Sequence, residues 1–233
     1  MKWSDFILRS LLVVSFALFA TTYFIKPVET RFAFPENRVW KHRQNSSDLA
    51  LKSIAAGANG IEIDIMLVDG KLQVAHDEGE IQGSQSLDDF LSALALENAT
   101  PSLWLDIKNI GFTNEVQIRE ILLDVIDRYN LHDRLLVESP NPMRMMRLCQ
   151  TIVRCSIWAQ NSNNLISRTM YRMFVRGFSN IANLSAISID YRHPETAELI
   201  VPKSFPVLLY TFPSPDDLVE FKGNSRYKIL LTD

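Results

Sequence analysis

The chain reads as an α/β protein, a compact (β/α)8 TIM-type barrel preceded by one N-terminal hydrophobic helix. Three observations predict this. Short apolar, β-branched runs alternate with helical segments from residue 38 to the end, and such alternation calls for a parallel sheet that eight units can close into a barrel. The runs are nearly all apolar, as strands covered by helices should be, except where carboxylates interrupt them. No glycine-rich phosphate loop follows the first run, which argues against an open doubly wound sheet. A chain of 233 residues is long enough to bury such a core.

The elements follow in order. Residues 38–42 form a short strand, and Ser46 or Ser47 caps a helix running through Leu49, Leu51 and Ile54. Gly57 and Gly60 mark a turn into the strand 61–65, and Asp69-Gly70 is a hairpin signal that makes 71–75 an antiparallel ribbon outside the barrel count. A helix starts at Ser86, with Asp88 and Asp89 in its first turn, where carboxylates suit the helix dipole. Strands at 103–108, 135–138, 153–159 and 186–190 alternate with helices at 114–129, 142–150 and 165–176. A helical piece at 196–200 precedes the strand 207–211. Ser214-Pro215-Asp216-Asp217 then starts a helix with a capping serine and proline at the first position, and 228–231 is the eighth barrel strand. No helix follows it, so the connector before Arg38 is expected to cover that end.

Residues 1–26 stand apart as a signal anchor or signal peptide, and 27–37 as a polar, proline-containing connector to the barrel at 38–233. Lys2 and Arg9 precede an apolar run, and residues 6–25 reach bilayer thickness if Arg9 snorkels. Ala17 and Ala20 lack the spacing of a cleavage site, which favours an uncleaved anchor. The leading positive charges place the barrel outside the cytoplasm, membrane-anchored, or secreted if the segment is cleaved. A buried core helix is the alternative, but the run has almost no polar face. The net charge of −3 and the lack of a basic block exclude a nucleic-acid partner. Cys149 and Cys155 are the only cysteines, and their spacing is generic.

The chemistry gathers where the strand pattern is broken. In GIEIDI, Glu62 and Asp64 lie two apart and project from one face of a strand, with the isoleucines on the other. A half-buried strand with its charges in water would read the same way. The next barrel strand repeats the device with Asp106 and Lys108, the first ends in His42-Arg43, and the ribbon ends in Ala75-His76-Asp77. Active groups of such barrels sit at the strands' C-terminal ends, so one mouth receives three carboxylates, two cations and two histidines. A self-contained ion-pair network would account for Asp106 and Lys108 but leaves Glu62, Asp64 and the histidines without a role. Hard carboxylates beside imidazoles suit a divalent cation and proton transfer. Glu138, Asp190, Tyr191 and Tyr210 also lie at strand ends, where a structural role serves equally. His132 and His193 fall in turns and read as solvated.

The ordered set of His42-Arg43, Glu62-x-Asp64, His76-Asp77, Asp106-x-Lys108 and the final Thr232-Asp233 resembles the glycerophosphodiester phosphodiesterases and the wider phospholipase-C-like phosphodiesterases. The resemblance spans 38–233. It implies a phosphoric diester hydrolase with one divalent cation, Mg²⁺ or Ca²⁺, on Glu62, Asp64 and Asp106. It also implies His42 and His76 as the general acid/base pair and Arg43 and Lys108 as phosphate contacts. The implied substrate is a glycerophosphodiester or phospholipid-type phosphodiester. The chain departs from the family's pattern at Gln44, where glycine is usual, at Asp106, where glutamate is typical, and in lacking the small insertion after His76-Asp77. These features resemble the compact branches, the spider-venom phospholipase D toxins and menorin-like proteins, so a lyase-type reaction is open. A catalytically silent barrel binding lipid head groups or a protein partner at the cell surface is the alternative.

Overall fold

The computed structural model describes residues 34–152, 154–159, 175, 184–201 and 205–233. The strands are β1 (Val39–Lys41), β2 (Gly60–Val68), β3 (Lys71–Val74), β4 (Ser102–Ile107), β5 (Leu135–Ser139), β6 (Cys155–Trp158), β7 (Ala186–Asp190), β8 (Val207–Phe212) and β9 (Tyr227–Thr232). Eight of them run parallel in the order β1-β9-β8-β7-β6-β5-β4-β2, and a β1–β2 pairing at Lys41 and Ile61 closes the barrel. The remaining strand, β3, pairs antiparallel with β2 through a turn in which Asp69 and Gly70 both take positive φ, 47° and 79°, the conformation a two-residue hairpin requires.

The described helices are α1 (Ser47–Ala55), α2 (Leu87–Leu96), α3 (Glu115–Arg128), α4 (Pro142–Thr151), α5 (Glu195–Ile200) and α6 (Val219–Lys222). Ser46 caps α1 and Ser86 caps α2, each accepting a backbone N–H from three residues on, as expected of serine there. Ser214 also caps as the sequence predicts. It opens a 3-10 turn, Pro215–Leu218, with α6 only four residues long after it, because the chain must reach β9 within a few residues. The predicted helix at 165–176 and the hydrophobic segment at 6–25 lie outside the described residues, apart from Val175, which is helical and buried. Among the described residues no helix is long and apolar enough to cross a membrane.

Two apolar cores result from the period-two alternation of the strands. The larger lies between barrel and helices and holds Ile61, Ile63, Ile65, Leu103, Leu105 and Ile107, the faces opposite the acids. The smaller fills the barrel interior with Trp40, Trp104, Leu136, Ala186, Leu208, Ile229 and Leu231. Phe34 packs against it from the connector. Gly60 is required there, since a Cβ on it would meet the Trp40 ring at 2.2 Å.

Candidate active site at the barrel mouth

β1 ends at His42, and Arg43 then adopts left-handed backbone, φ 47°, a conformation that costs a non-glycine residue about 1–3 kcal/mol. The turn aims the Arg43 N–H at Glu62 Oε2, 2.7 Å away, a charge-assisted bond that offsets part of that strain. The next residues anchor the same strand. Gln44 N–H donates to the Glu62 carbonyl at 2.8 Å. Asn45 Nδ2 donates to Asp64 Oδ2 at 2.8 Å, and Asp64 N–H donates to Asn45 Oδ1 at 2.9 Å. Gln44 turns its side chain away from the mouth, donating to the His42 carbonyl at 2.7 Å and accepting from Ser53 of α1 at 2.6 Å. The departure from the family's glycine is thus a tie between β1 and the helix behind it.

The carboxylates converge as the i, i+2 pattern predicts. Glu62, Asp64 and Asp106 are all buried, and each offers an oxygen within 4.8 Å of the others. Lys108 Nζ bridges two of them, 2.6 Å from Asp64 Oδ1 and 2.5 Å from Asp106 Oδ2. Asp106 Oδ1 is buried without a hydrogen-bond partner, which is costly unless something else satisfies it. Burial drives Glu62 well above the usual carboxylate range, and the charges of Asp64 and Asp106 push it further. Asp106 is raised to about 6, by burial first, against the pull of Lys108. Burial also opposes ionisation of Asp64, but Lys108 and Asn45 overcome it and hold its carboxyl low. Lys108 is itself held above its ordinary value: the two aspartates outweigh its burial.

His42 and His76 border one cavity of ≈ 180 Å³, shared with Arg43, Glu62, Asp106 and Lys108. His42 Nδ1 pairs with Asp233 Oδ1 at 2.7 Å, and Nε2 lies 4.0 Å from Glu62 Oε2. Burial lowers the His42 pKa despite Asp233. His76 follows β3, held by its backbone N–H to Glu80 Oε2 at 2.8 Å, with Asp77 capping the Glu78–Glu80 turn. Arg43 Nε is 3.6 Å from Asp64 Oδ2. Every residue predicted for the site therefore lies at one mouth.

Sequence reasoning missed three partners: Asn45, Asp233 as the residue beside His42, and the cavity role of Glu138. Glu138 is fully buried, borders the cavity and accepts hydrogen bonds from Ser156 and, at 2.8 Å, from Ser188. Burial and the charge of Asp106 raise it to about 8 against those two bonds. A carboxylate in a strand that is otherwise wholly apolar before it was the available signal. Asp190 pairs instead with Arg192 at the rim, and His132 is exposed beside Asp127.

The fold is a (β/α)8 barrel that brings three buried carboxylates, two histidines, an arginine and a lysine together at its mouth. No family model matches the chain, and neither does any curated protein. Solved structures do match. A glycerophosphodiester phosphodiesterase from Parabacteroides distasonis aligns with TM-score 0.63 and 15% identity over 85% of this chain and 94% of that one. A phosphodiesterase from Oleispira antarctica, in complex with the product sn-glycerol-3-phosphate, aligns with TM-score 0.61 and 12% identity over 84% and 92%. A calcium-dependent phosphoinositol-specific phospholipase C from a Gram-negative Pseudomonas aligns with TM-score 0.53 and 11% identity over 91% and 94%. The structures that share the fold are thus the group that the sequence motifs resemble.

Proposed function

We propose that the chain is a metal-dependent phosphodiesterase acting on a glycerophosphodiester or phospholipid-type phosphodiester. One observation carries this reading: three buried carboxylates, two histidines, an arginine and a lysine meet around one cavity, on a fold shared with phosphodiesterases. The donor set fits one divalent cation, because Glu62, Asp64 and Asp106 supply hard oxygens close together and Asp106 Oδ1 lacks a partner. Such an ion, Mg²⁺ or Ca²⁺, would supply positive charge to the non-bridging phosphate oxygens. Arg43 and Lys108 bind the same anion from the protein side, and these charges act best where water is excluded.

His42, oriented by Asp233, takes the proton from the attacking hydroxyl. His76 gives a proton to the departing alcohol oxygen. Each transfer is worth roughly 10²- to 10⁴-fold in rate. The attacking hydroxyl is either water or a hydroxyl of the substrate next to the phosphate, which is already tethered for attack. Phosphorus NMR of the products separates the two: a cyclic phosphate marks internal attack, and a linear monoester alone marks water.

Residues 6–25 are proposed to hold the barrel at a membrane, outside the cytoplasm, on the strength of their apolar run and the preceding Lys2 and Arg9. Protease added to intact cells should digest the barrel, and recovery in the cytosolic fraction would remove this part of the proposal. The activity itself is tested on the full chain in detergent, offered phosphodiesters with Mg²⁺, with Ca²⁺ and with chelator. Hydrolysis that stops on chelation is the expected result. Failure to cleave any phosphodiester with either cation would leave the catalytically silent barrel in its place.

A further inference from the structure

We propose that Glu138, clamped by Ser156 and Ser188 on the floor of the cavity, reads hydroxyl groups on the alcohol part of the substrate. The site then takes small neutral polyol phosphodiesters and discriminates against ammonium-bearing ones. This rests on the phosphodiesterase reading above and adds the substrate class to it.

Glu138 has no solvent exposure, yet it borders the cavity. Leu136, two residues before it on the same inward face, belongs to the apolar interior, so a packing role alone would call for another apolar side chain at 138. Its two oxygens are fixed separately. Ser188 Oγ donates to Oε1 at 2.8 Å, and Ser156 Oγ donates to Oε2. The carboxyl is thereby held in one orientation, and each oxygen keeps a lone pair for a further donor. A substrate hydroxyl that enters the cavity can supply such a donor.

The walls explain the discrimination. Trp158 and Tyr210 border the cavity with ring centroids 5.8 Å apart and an interplanar angle of 32°. Aromatic faces beside an acid would ordinarily attract an ammonium ligand. Here the Lys108 ammonium already lies over the Trp158 ring, 5.2 Å from its centroid. That face is thus already taken, and a choline group has no hydroxyl to offer Glu138. The volume of ≈ 180 Å³ is below the roughly 300–1,000 Å³ typical of drug-sized pockets. It suits a phosphate with a small alcohol and leaves acyl chains outside.

The test uses the full chain in detergent with Mg²⁺ or Ca²⁺ and two chromogenic diesters of p-nitrophenol, one esterified with glycerol and one with choline. Calorimetric binding of the monoesters glycerol 3-phosphate and phosphocholine runs beside it. The expected wild-type preference for the glycerol compounds is at least about tenfold in kcat/KM and in affinity, since a site built for hydroxyls discriminates strongly against ligands lacking them. Glu138→Leu and Ser188→Ala should bring both ratios to within about threefold, while Glu138→Gln keeps most of the preference. Equal use of both diesters by the wild type, or a preference that survives in folded Glu138→Leu, overturns the proposal. Should Glu138→Leu fail to fold, the wild-type and Ser188→Ala ratios decide. If neither diester is cleaved, the phosphodiesterase reading fails, and the monoester affinities still decide whether the floor reads hydroxyls.

Discussion

The barrel interior changes character along its axis. Toward the N-terminal ends of the strands, Trp40 fills the space left by Gly60, and Leu136, Ala186, Leu208 and Ile229 pack around it under Phe34. Toward the C-terminal ends, β2, β4 and β5 present Glu62, Asp64, Asp106 and Glu138, all buried and three of them with raised pKa values. One end gains free energy by burial. The other gives it up to keep charges close together, which the proposed function would require. Substitutions at the two ends should therefore differ in kind as well as in size.

The largest effect is expected at the mouth and in turnover alone. Replacing His42 or His76 with alanine should lower kcat by at least about a hundredfold, with urea unfolding shifted by no more than about 0.5 kcal/mol. Near-normal turnover in both variants would end their assignment as the acid/base pair.

The other end should show the reverse. Trp40→Ala removes a fully buried ring and should cost about 3–5 kcal/mol in urea unfolding. Gly60→Ala places a methyl group 2.2 Å from that ring, and overpacking of this kind costs about 1–3 kcal/mol or more. A Gly60→Ala protein as stable as the wild type would mean that the ring is not wedged against this strand.

The acids provide an intermediate effect with a definite sign. Folded-state values of Glu62, Asp106 and Glu138 are raised above those of the unfolded chain. In the cation-free protein the contribution of Asp106 and Glu138 is full below about pH 4 and is lost as pH rises through about 6 and about 8, and Glu62 acts in the same direction. Asp64, whose pKa is lowered, contributes oppositely, but only below its ordinary range. Cation-free protein should thus unfold at lower urea at pH 8 than at pH 5. Saturating Mg²⁺ or Ca²⁺ should restore about 2.7 kcal/mol at a hundred times the dissociation constant. Glu62→Gln should raise the urea midpoint of the cation-free protein at pH 8, because the amide has no charge to bury, while abolishing turnover. Destabilisation by Glu62→Gln would show that the acid is satisfied where it stands.

The same contrast explains what the sequence could disclose. The parallel strands were legible because both faces are covered, which makes each an apolar run, and Glu62, Asp64, Asp106 and Lys108 were legible as breaks in such runs. His42 and His76 stood out as histidines at strand ends. Asn45 did not, and Asp233 stood out only as part of the closing motif, because each acts through a distant partner: Asn45 through Asp64, and Asp233 through His42, 191 residues away. Ser156 and Ser188 read as small residues in apolar strands until the β5-β6-β7 order sets them around Glu138. The left-handed backbone of Arg43 has no sequence signature at all, since glycine is absent where it is needed.

The smallest effect concerns the departure at Gln44. Its side chain is buried, donating to the His42 carbonyl and accepting from Ser53, and none of its side-chain bonds reaches the acids. Gln44→Ala loses two hydrogen bonds and leaves the Ser53 hydroxyl and a carbonyl to find other partners. The expected cost is about 1–3 kcal/mol in unfolding. Turnover at saturating substrate should stay within about threefold, because the backbone N–H to Glu62 is unchanged and the strand order still delivers His42 to the cavity. If Gln44→Ala instead lowers turnover as far as His42→Ala does, the tie to α1 is what holds His42 in register with Asp233. Gln44 would then count among the positioning residues of the mouth.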